Sequence, residues 1–238
     1  MDLQRELVDL LAEDRVLTRA LDRVAYANDA SVYRLVPQAV VLPQSIADVQ
    51  ALFRLSQARC IPLTFRAAGT SLSGQAVTDG ILVVLSRHWR NVEILDGGRR
   101  VRVQPGVIGG VVNQHLRPYG AKIGPDPASI NACMMGGILA NNSSGMCCGV
   151  VQNAYHTLDS MRFVLPDGLT LDTADPAAHA KLDAEAPQIA RGLLDLASRV
   201  KANPRLSDRI RHKYRMKNTT GYSLNAFLDH EAPIDILS

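Results

Sequence analysis

The chain has 238 residues, enough to bury a sizeable core as one large domain or as two lobes sharing an interface. It is 47% hydrophobic and 21% charged, the make-up of an ordinary globular protein, and its formal charge of +3 is too small to argue for a polyanionic partner. Its four cysteines, Cys60, Cys133, Cys147 and Cys148, form no C-x-x-C pair and have no histidines at metal-finger spacing, which speaks against a metal site.

From the N-terminus, residues 1 to 24 read as a charged amphipathic helix, with Leu3, Leu7, Leu10 and Leu11 set among Glu6, Glu13, Asp14 and Arg15. The segment lacks the unbroken apolar stretch of a secretion signal, and with free thiols it points to the cytoplasm. Ala39 to Leu42 reads as a buried strand, and Ser45-Ile46-Ala47-Asp48 is a capping box opening a helix whose apolar face is Ile46, Val49, Leu52 and Phe53. That helix should end near Cys60, and Ile61-Pro62 begins a second strand reaching Phe65, giving a strand–helix–strand unit. A loop from Arg66 to Gln75 follows, then a strand over Ile81 to Leu85. A hairpin pairs Val92 to Leu95 with Val101 to Val103 across Asp96-Gly97-Gly98.

A helix from about Gly110 to Leu116 is stopped by Pro118 and Gly120. The uncharged stretch Pro127 to Leu158 is long enough to cross a membrane, but Asn131, Asn141, Asn142, Ser143, Ser144 and Asn153 interrupt it, so no transmembrane segment is expected. A second hairpin joins Met161 to Leu165 with Leu169 to Asp172 around Pro166-Asp167-Gly168. Residues 173 to 186 look like a surface excursion, and Ile189 to Val200 has helical periodicity. Between Pro204 and Lys217 there are six Lys or Arg against one Asp. With Tyr214 its lone aromatic and no recognised binding motif, that stretch reads as a solvated face or an interface rather than a nucleic-acid patch. The fold class is α+β, with no internal repeat.

Two segments carry the chemistry. The loop RAAGTSLSGQ, Arg66 to Gln75, is built of small residues, so backbone can approach a ligand closely. Its consecutive peptide N–H groups suit a pyrophosphate, with the hydroxyls of Thr70, Ser71 and Ser73 as further donors; a plain surface turn is the alternative. Gly69 to Gly74 matches the glycine spacing of a nucleotide P-loop, but Gln75 and Ala76 stand where that motif needs Lys and Ser or Thr. No G-x-G-x-x-G is present, which argues likewise against a Rossmann dinucleotide site. The second segment, Gly124 to Gly149, holds Asp126 as its single charge. Its glycines, neutral polar groups and apolar Met134, Met135 and Ile138 could house a large flat ligand such as an isoalloxazine ring, or form a tightly packed core crossing.

RAAGTSLSGQ followed by GPDPAS, GGILANNSSG and FVLPDG resembles the FAD-linked oxidases with the vanillyl-alcohol-oxidase, or PCMH-type, fold, over about Val36 to Asp172. Asp29-Ala30-Ser31, Cys147-Cys148-Gly149 and Lys217-Asn218-Thr219-Thr220-Gly221-Tyr222 resemble the bacterial FAD and iron–sulfur D-2-hydroxyglutarate or D-lactate type dehydrogenases. The resemblance implies a two-lobed PCMH-type FAD-binding domain, a small α/β lobe plus a larger sheet-and-helix lobe, C-terminally incomplete. It implies residues 1–35 as a helical extension, 36–172 as the domain core and 173–238 as a truncated continuation of the second lobe. The cofactor would be FAD.

By the same resemblance Arg66, Ala67, Ala68, Gly69, Thr70, Ser71, Gly74 and Gln75 would bind the pyrophosphate. Pro125, Asp126, Ser129, Gly136, Gly137, Ala140, Asn141, Asn142, Ser143, Ser144 and Gly145 would line the ribityl chain and ring, and Phe163 and Val164 would back the adenine. Some relatives attach FAD covalently through a histidine where this chain has Thr70, so a non-covalent flavin is expected. The implied reaction takes a hydride from a D-2-hydroxy acid to flavin N5. The alternative is an FAD-binding module or subunit with no turnover of its own. A catalytic base is not identifiable: His88, His115, His156, His179, His212 and His230 show no paired spacing, and His156 and Arg66 lie nearest the flavin segments. Any iron–sulfur cluster would belong beyond Ser238, and any membrane association would come through an electron acceptor that the sequence does not name.

Overall fold

The computed structural model describes residues 2 to 219 and 221 to 237. The chain divides into two compact units, one of residues 1–123 with 128–138, the other of 124–127 with 139–238.

In the first unit, the helical N-terminal stretch forms as α1 (Leu3–Leu11) and α2 (Ala20–Ala25) with a short strand, β1 (Val16–Leu17), between them. The first helix stops at Ala12, whose φ is 76°, because the chain there turns to hydrogen-bond the free edge of the next strand. That strand is β2 (Ala39–Val41), followed by α3 (Ile46–Arg59), β3 (Leu63–Arg66) and β4 (Ile81–Val84). The sheet order is β1-β2-β4-β3, with β2 and β3 parallel to β4 and β1 antiparallel to β2. Val40, Val41, Leu82 and Val83 are fully buried, which explains why the central strands read as unbroken apolar runs rather than alternating ones.

The expected cap of α3 is present: Ser45 Oγ accepts from the Asp48 N–H at 3.1 Å, a contact that stabilises such helices by about 1 kcal/mol. The Asp48 carboxylate reaches back to the Gln44 N–H and also takes Arg15 Nη1 at 2.6 Å, pinning α3 to the start of β1. Cys60 ends the helix in the left-handed conformation. Leu52 packs with Leu7 and Leu11 of α1 on Ala39, Val41, Ile81 and Val83. The hairpin forms as β5 (Val92–Leu95) and β6 (Arg100–Val103), and α4 (Gly109–Leu116) gives way to a short turn containing Pro118 that Gly120 closes at φ 66°. The helix α5 (Met135–Ala140) carries the chain from the first unit's residues to the second's.

The second unit holds α6 (Ala154–Thr157), the hairpin β7 (Arg162–Val164) and β8 (Thr170–Asp172), and five helices: α7 (Ala178–Glu185), α8 (Pro187–Lys201), α9 (Pro204–Tyr214), α10 (Ala226–Asp229) and α11 (Pro233–Leu237). The surface excursion expected over residues 173 to 186 is in fact largely α7. Ala178 and Leu182 bury against Leu171, Ala186, Ala190 and Ile234, so tertiary contacts convert a weakly patterned stretch into helix. On α9, Ser207 and Ile210 face inward and the basic side chains are exposed. Among the described residues no helix is long and apolar enough to cross a membrane, and no three His, Cys, Asp or Glu side chains cluster as metal ligands.

Candidate functional site

The loop Arg66–Gln75 leaves the C-terminal end of β3 in the first unit. Gly69 and Gly74 have φ of 73° and 72°, the left-handed region that only glycine enters without cost. Space demands glycine as well, because a Cβ would lie 2.5 Å from the Arg66 guanidinium at Gly69 and 2.7 Å from the Tyr33 ring at Gly74. Arg66 turns beneath its own loop, and its Nη1 donates to the carbonyls of Asn28 at 2.8 Å, Tyr26 at 3.2 Å and Ala76 at 3.4 Å. Opposite it, Asp29 accepts from the Ser31 N–H at 2.9 Å and the Ala76 N–H at 3.3 Å. Burial opposes ionisation of Asp29, but the bonds from Ser31 and Ala76 and the charge of Arg66 outweigh it and hold the carboxyl below its ordinary range.

Among the described residues the N–H groups of Ala68, Gly69, Thr70, Ser71 and Leu72 have no acceptor within the chain. They form the row of uncommitted donors that a phosphate requires. One hydroxyl departs from expectation: Ser71 Oγ donates to Gln75 Oε1 at 3.0 Å and accepts from Ser73 and Gln75 N–H groups, so it shapes the turn instead of remaining a spare donor. Ser129, Gly136 and Gly137 also belong to the first unit, where the Ser129 carbonyl accepts from Ala132 and Cys133 and the Gly136 N–H donates to Pro105. Gly137 faces open space. Met135 and Ile138, expected as walls for a ring, are 6% and 1% exposed and belong to the core.

The second unit gathers Pro125, Asp126 and Ala140 to Gly145. Asp126 lies so close to Gly145 that a Cβ there would meet its Oδ1 at 1.8 Å and its carbonyl oxygen at 2.2 Å. Asn142 adopts φ 48° and accepts the Tyr155 N–H on Oδ1 at 3.0 Å, while the Ser143 carbonyl takes the Ala154 N–H and Ser143 Oγ donates to Asn141 Oδ1 at 2.6 Å. The turn is thus held from α6. Ser143, Ser144 and Gly145 are buried, yet among the described residues their N–H groups have no acceptor and Ser144 Oγ has no partner. Buried groups of this kind cost about 1–3 kcal/mol each when nothing meets them. Phe163 packs on the core of this unit, and Val164 pairs with Thr170 in the hairpin.

Residues outside the two loops support them. Tyr33 and Asp29 brace the first. On the second, Asn218 is buried with its carbonyl 3.5 Å from Asn142 Nδ2, and Gly221, at φ 80°, leaves no room for a Cβ against the Ala140 carbonyl. Resemblance was the sole sequence signal for this stretch; its Thr220 lies outside the described residues.

A family model described as an FAD binding domain matches residues 37–174. The chain belongs to this FAD-binding family. D-2-hydroxyglutarate dehydrogenase of Escherichia coli (strain K12) is 39% identical over 160 residues, covering 66% of this chain and 16% of that protein. Glycolate oxidase subunit GlcD of the same strain is 36% identical over 149 residues, 62% of this chain and 30% of that one. The chain therefore spans well under half the length of these relatives. The solved structure of 6-hydroxy-D-nicotine oxidase from Arthrobacter nicotinovorans superposes with a TM-score of 0.59 at 19% identity, covering 74% of this chain and 39% of that one, a likeness of fold. The expected family, α+β fold and FAD cofactor are all found. Neutral turns with uncommitted amides and an orphaned buried hydroxyl suit the pyrophosphate and the polar ring edge of FAD.

Proposed function

We propose that this chain is the FAD-binding domain of a dehydrogenase that oxidises D-2-hydroxy acids. The observation that carries the reading is the buried run Ser143 to Gly145 with its unmet amides, in an FAD-binding chain resembling D-2-hydroxyglutarate dehydrogenases. On this reading the amides of Ala68 to Leu72 hold the pyrophosphate, helped by Thr70 and Ser73, while Gly69, Gly74 and Gln75 shape the turn and Arg66 positions it. Pro125, Asp126, Ser129, Gly136, Gly137 and Ala140 to Gly145 line the ribityl chain and ring, and Phe163 and Val164 back the adenine. Residues 36–172 then form the binding core, with 1–35 leading into it and 173–238 continuing its second part.

Bound flavin would supply the hydride acceptor at N5. The residues of this chain bind and orient it and shield it from water. Thr70 cannot form the covalent flavin link that a histidine at this place could, so acid precipitation is expected to leave the yellow colour in the supernatant. Colour retained in the pellet would contradict non-covalent binding.

The match to an FAD binding domain over residues 37–174 equally supports a second reading, a flavin-binding module without turnover. Anaerobic mixing of the FAD-loaded chain with D- and L-2-hydroxyglutarate separates the two. Bleaching of the flavin band by the D isomer alone supports the dehydrogenase; bound flavin that neither isomer bleaches supports the module.

A further inference from the structure

The second unit contains a cavity of about 220 Å³ that none of the flavin contacts uses. Its lining includes His156 of α6, Arg211, Tyr214 and Arg215 on and just after α9, and Asn225 and Asp229 at α10. Arg211 and Arg215, both exposed, stand four residues apart at and just past the last turn of α9, a spacing that places two cations on one side. Arg211 reaches Asp208 at 3.3 Å, but both side chains are exposed and that contact holds it weakly.

The same lining carries acceptors. His156 Nδ1 is 2.8 Å from Asn153 Oδ1, an atom that also accepts the His156 N–H and is therefore oxygen. Nδ1 must be the donor, and in the tautomer that carries its proton there Nε2 is an acceptor. Asn225 Nδ2 donates to Asp229 Oδ2 at 2.7 Å, fixing its amide orientation, and its Oδ1 is buried without a partner among the described residues. Asn225 is 7% exposed, so water does not compensate that atom cheaply. Asp229 Oδ2 is itself occupied, by Asn225 and by the Tyr155 hydroxyl at 3.0 Å. Burial, then Asp229, keep that hydroxyl protonated above the usual tyrosine range.

We propose that this cavity binds a small carboxylate that carries a hydroxyl group. The carboxylate lies on Arg211 and Arg215, and the hydroxyl donates to Asn225 Oδ1 or His156 Nε2. These acceptors call for a donor on the ligand, which a hydroxyl supplies and a plain dicarboxylate lacks. The choice of a D-2-hydroxy acid as its occupant rests on the dehydrogenase reading and gives that substrate class a docking place within this chain.

The test is an NMR titration of the histidine ring protons of the flavin-free chain with D-2-hydroxyglutarate, glutarate and inorganic phosphate. D-2-hydroxyglutarate is expected to shift His156 saturably, with glutarate and inorganic phosphate roughly tenfold weaker. Arg211→Gln with Arg215→Gln should weaken binding about tenfold, since charge-assisted bonds are lost from exposed side chains that do not hold the fold. Asn225→Ala should erase the preference for the hydroxyl; because it also removes a bond to Asp229, the arginine variant remains decisive if this one fails to fold. No saturable response of His156, or equal affinity for phosphate and hydroxy acid, overturns the proposal. FAD uptake is measured separately: a chain that binds FAD without a His156 response loses this inference alone, and a response in a chain that takes up no FAD removes the flavin reading instead.

Discussion

Replacing Gly145 by alanine is expected to weaken FAD binding at least a hundredfold and to lower the melting temperature by several degrees. The added Cβ would sit 2.2 Å from the Asp126 carbonyl oxygen, a main-chain atom that no rotamer change can move. Overpacking of this kind costs about 1–3 kcal/mol, relieved only by displacing the turn that carries the Ser143, Ser144 and Gly145 amides. Each hydrogen bond to an anionic or polar ligand edge is worth about 1.5–3 kcal/mol when one partner is charged, so losing two accounts for the factor. Gly137→Ala separates binding from folding. Its methyl enters open space on α5, and alanine is the better helix former by up to about 1 kcal/mol, so the flavin-free chain should be no less stable while FAD affinity falls. Flavin fluorescence titration and thermal melts of both variants read the two effects independently.

Arg66→Met should cost about 2–4 kcal/mol of stability and much of the FAD affinity without removing any proposed contact to the cofactor. It strips the carbonyls of Tyr26, Asn28 and Ala76 of their shared donor and leaves Asp29 without its cation. The pH dependence follows from Asp29. Its folded pKa is depressed, so its contribution is complete above the unfolded value of about 3.9 and drains away as pH falls through the lower folded value. Asp29→Asn should therefore flatten the acid limb of the stability profile and leave neutral pH less stable than in the parent chain. A variant that keeps the parent's acid limb would show that the loop does not depend on this pair.

The elements read correctly from sequence are those specified locally. Ser45 and Asp48 open α3, Asp96-Gly97-Gly98 and Pro166-Asp167-Gly168 turn the two hairpins, and Pro118 with Gly120 closes α4. What was missed depends on distant partners. The two residues of β1 form a strand because β2 offers an open edge, and α7 is helical because Leu182 finds Leu171 and Ile234. The same division holds at the turns: small residues and glycines mark them in sequence, but Asp29 and Tyr33 against Gly74 and Ala76, and Gly221 against Ala140, are contacts across tens of residues that no local pattern encodes. Nor could residue types reveal that Ser71 spends its hydroxyl on Gln75.

Amide hydrogen exchange, followed with and without saturating FAD, probes the central claim most directly. Ala68 to Leu72 should exchange freely in the empty chain and Ser143 to Gly145 more slowly because they are buried, and both sets should become markedly more protected when the flavin binds. FAD that binds while these amides continue to exchange unchanged would contradict it.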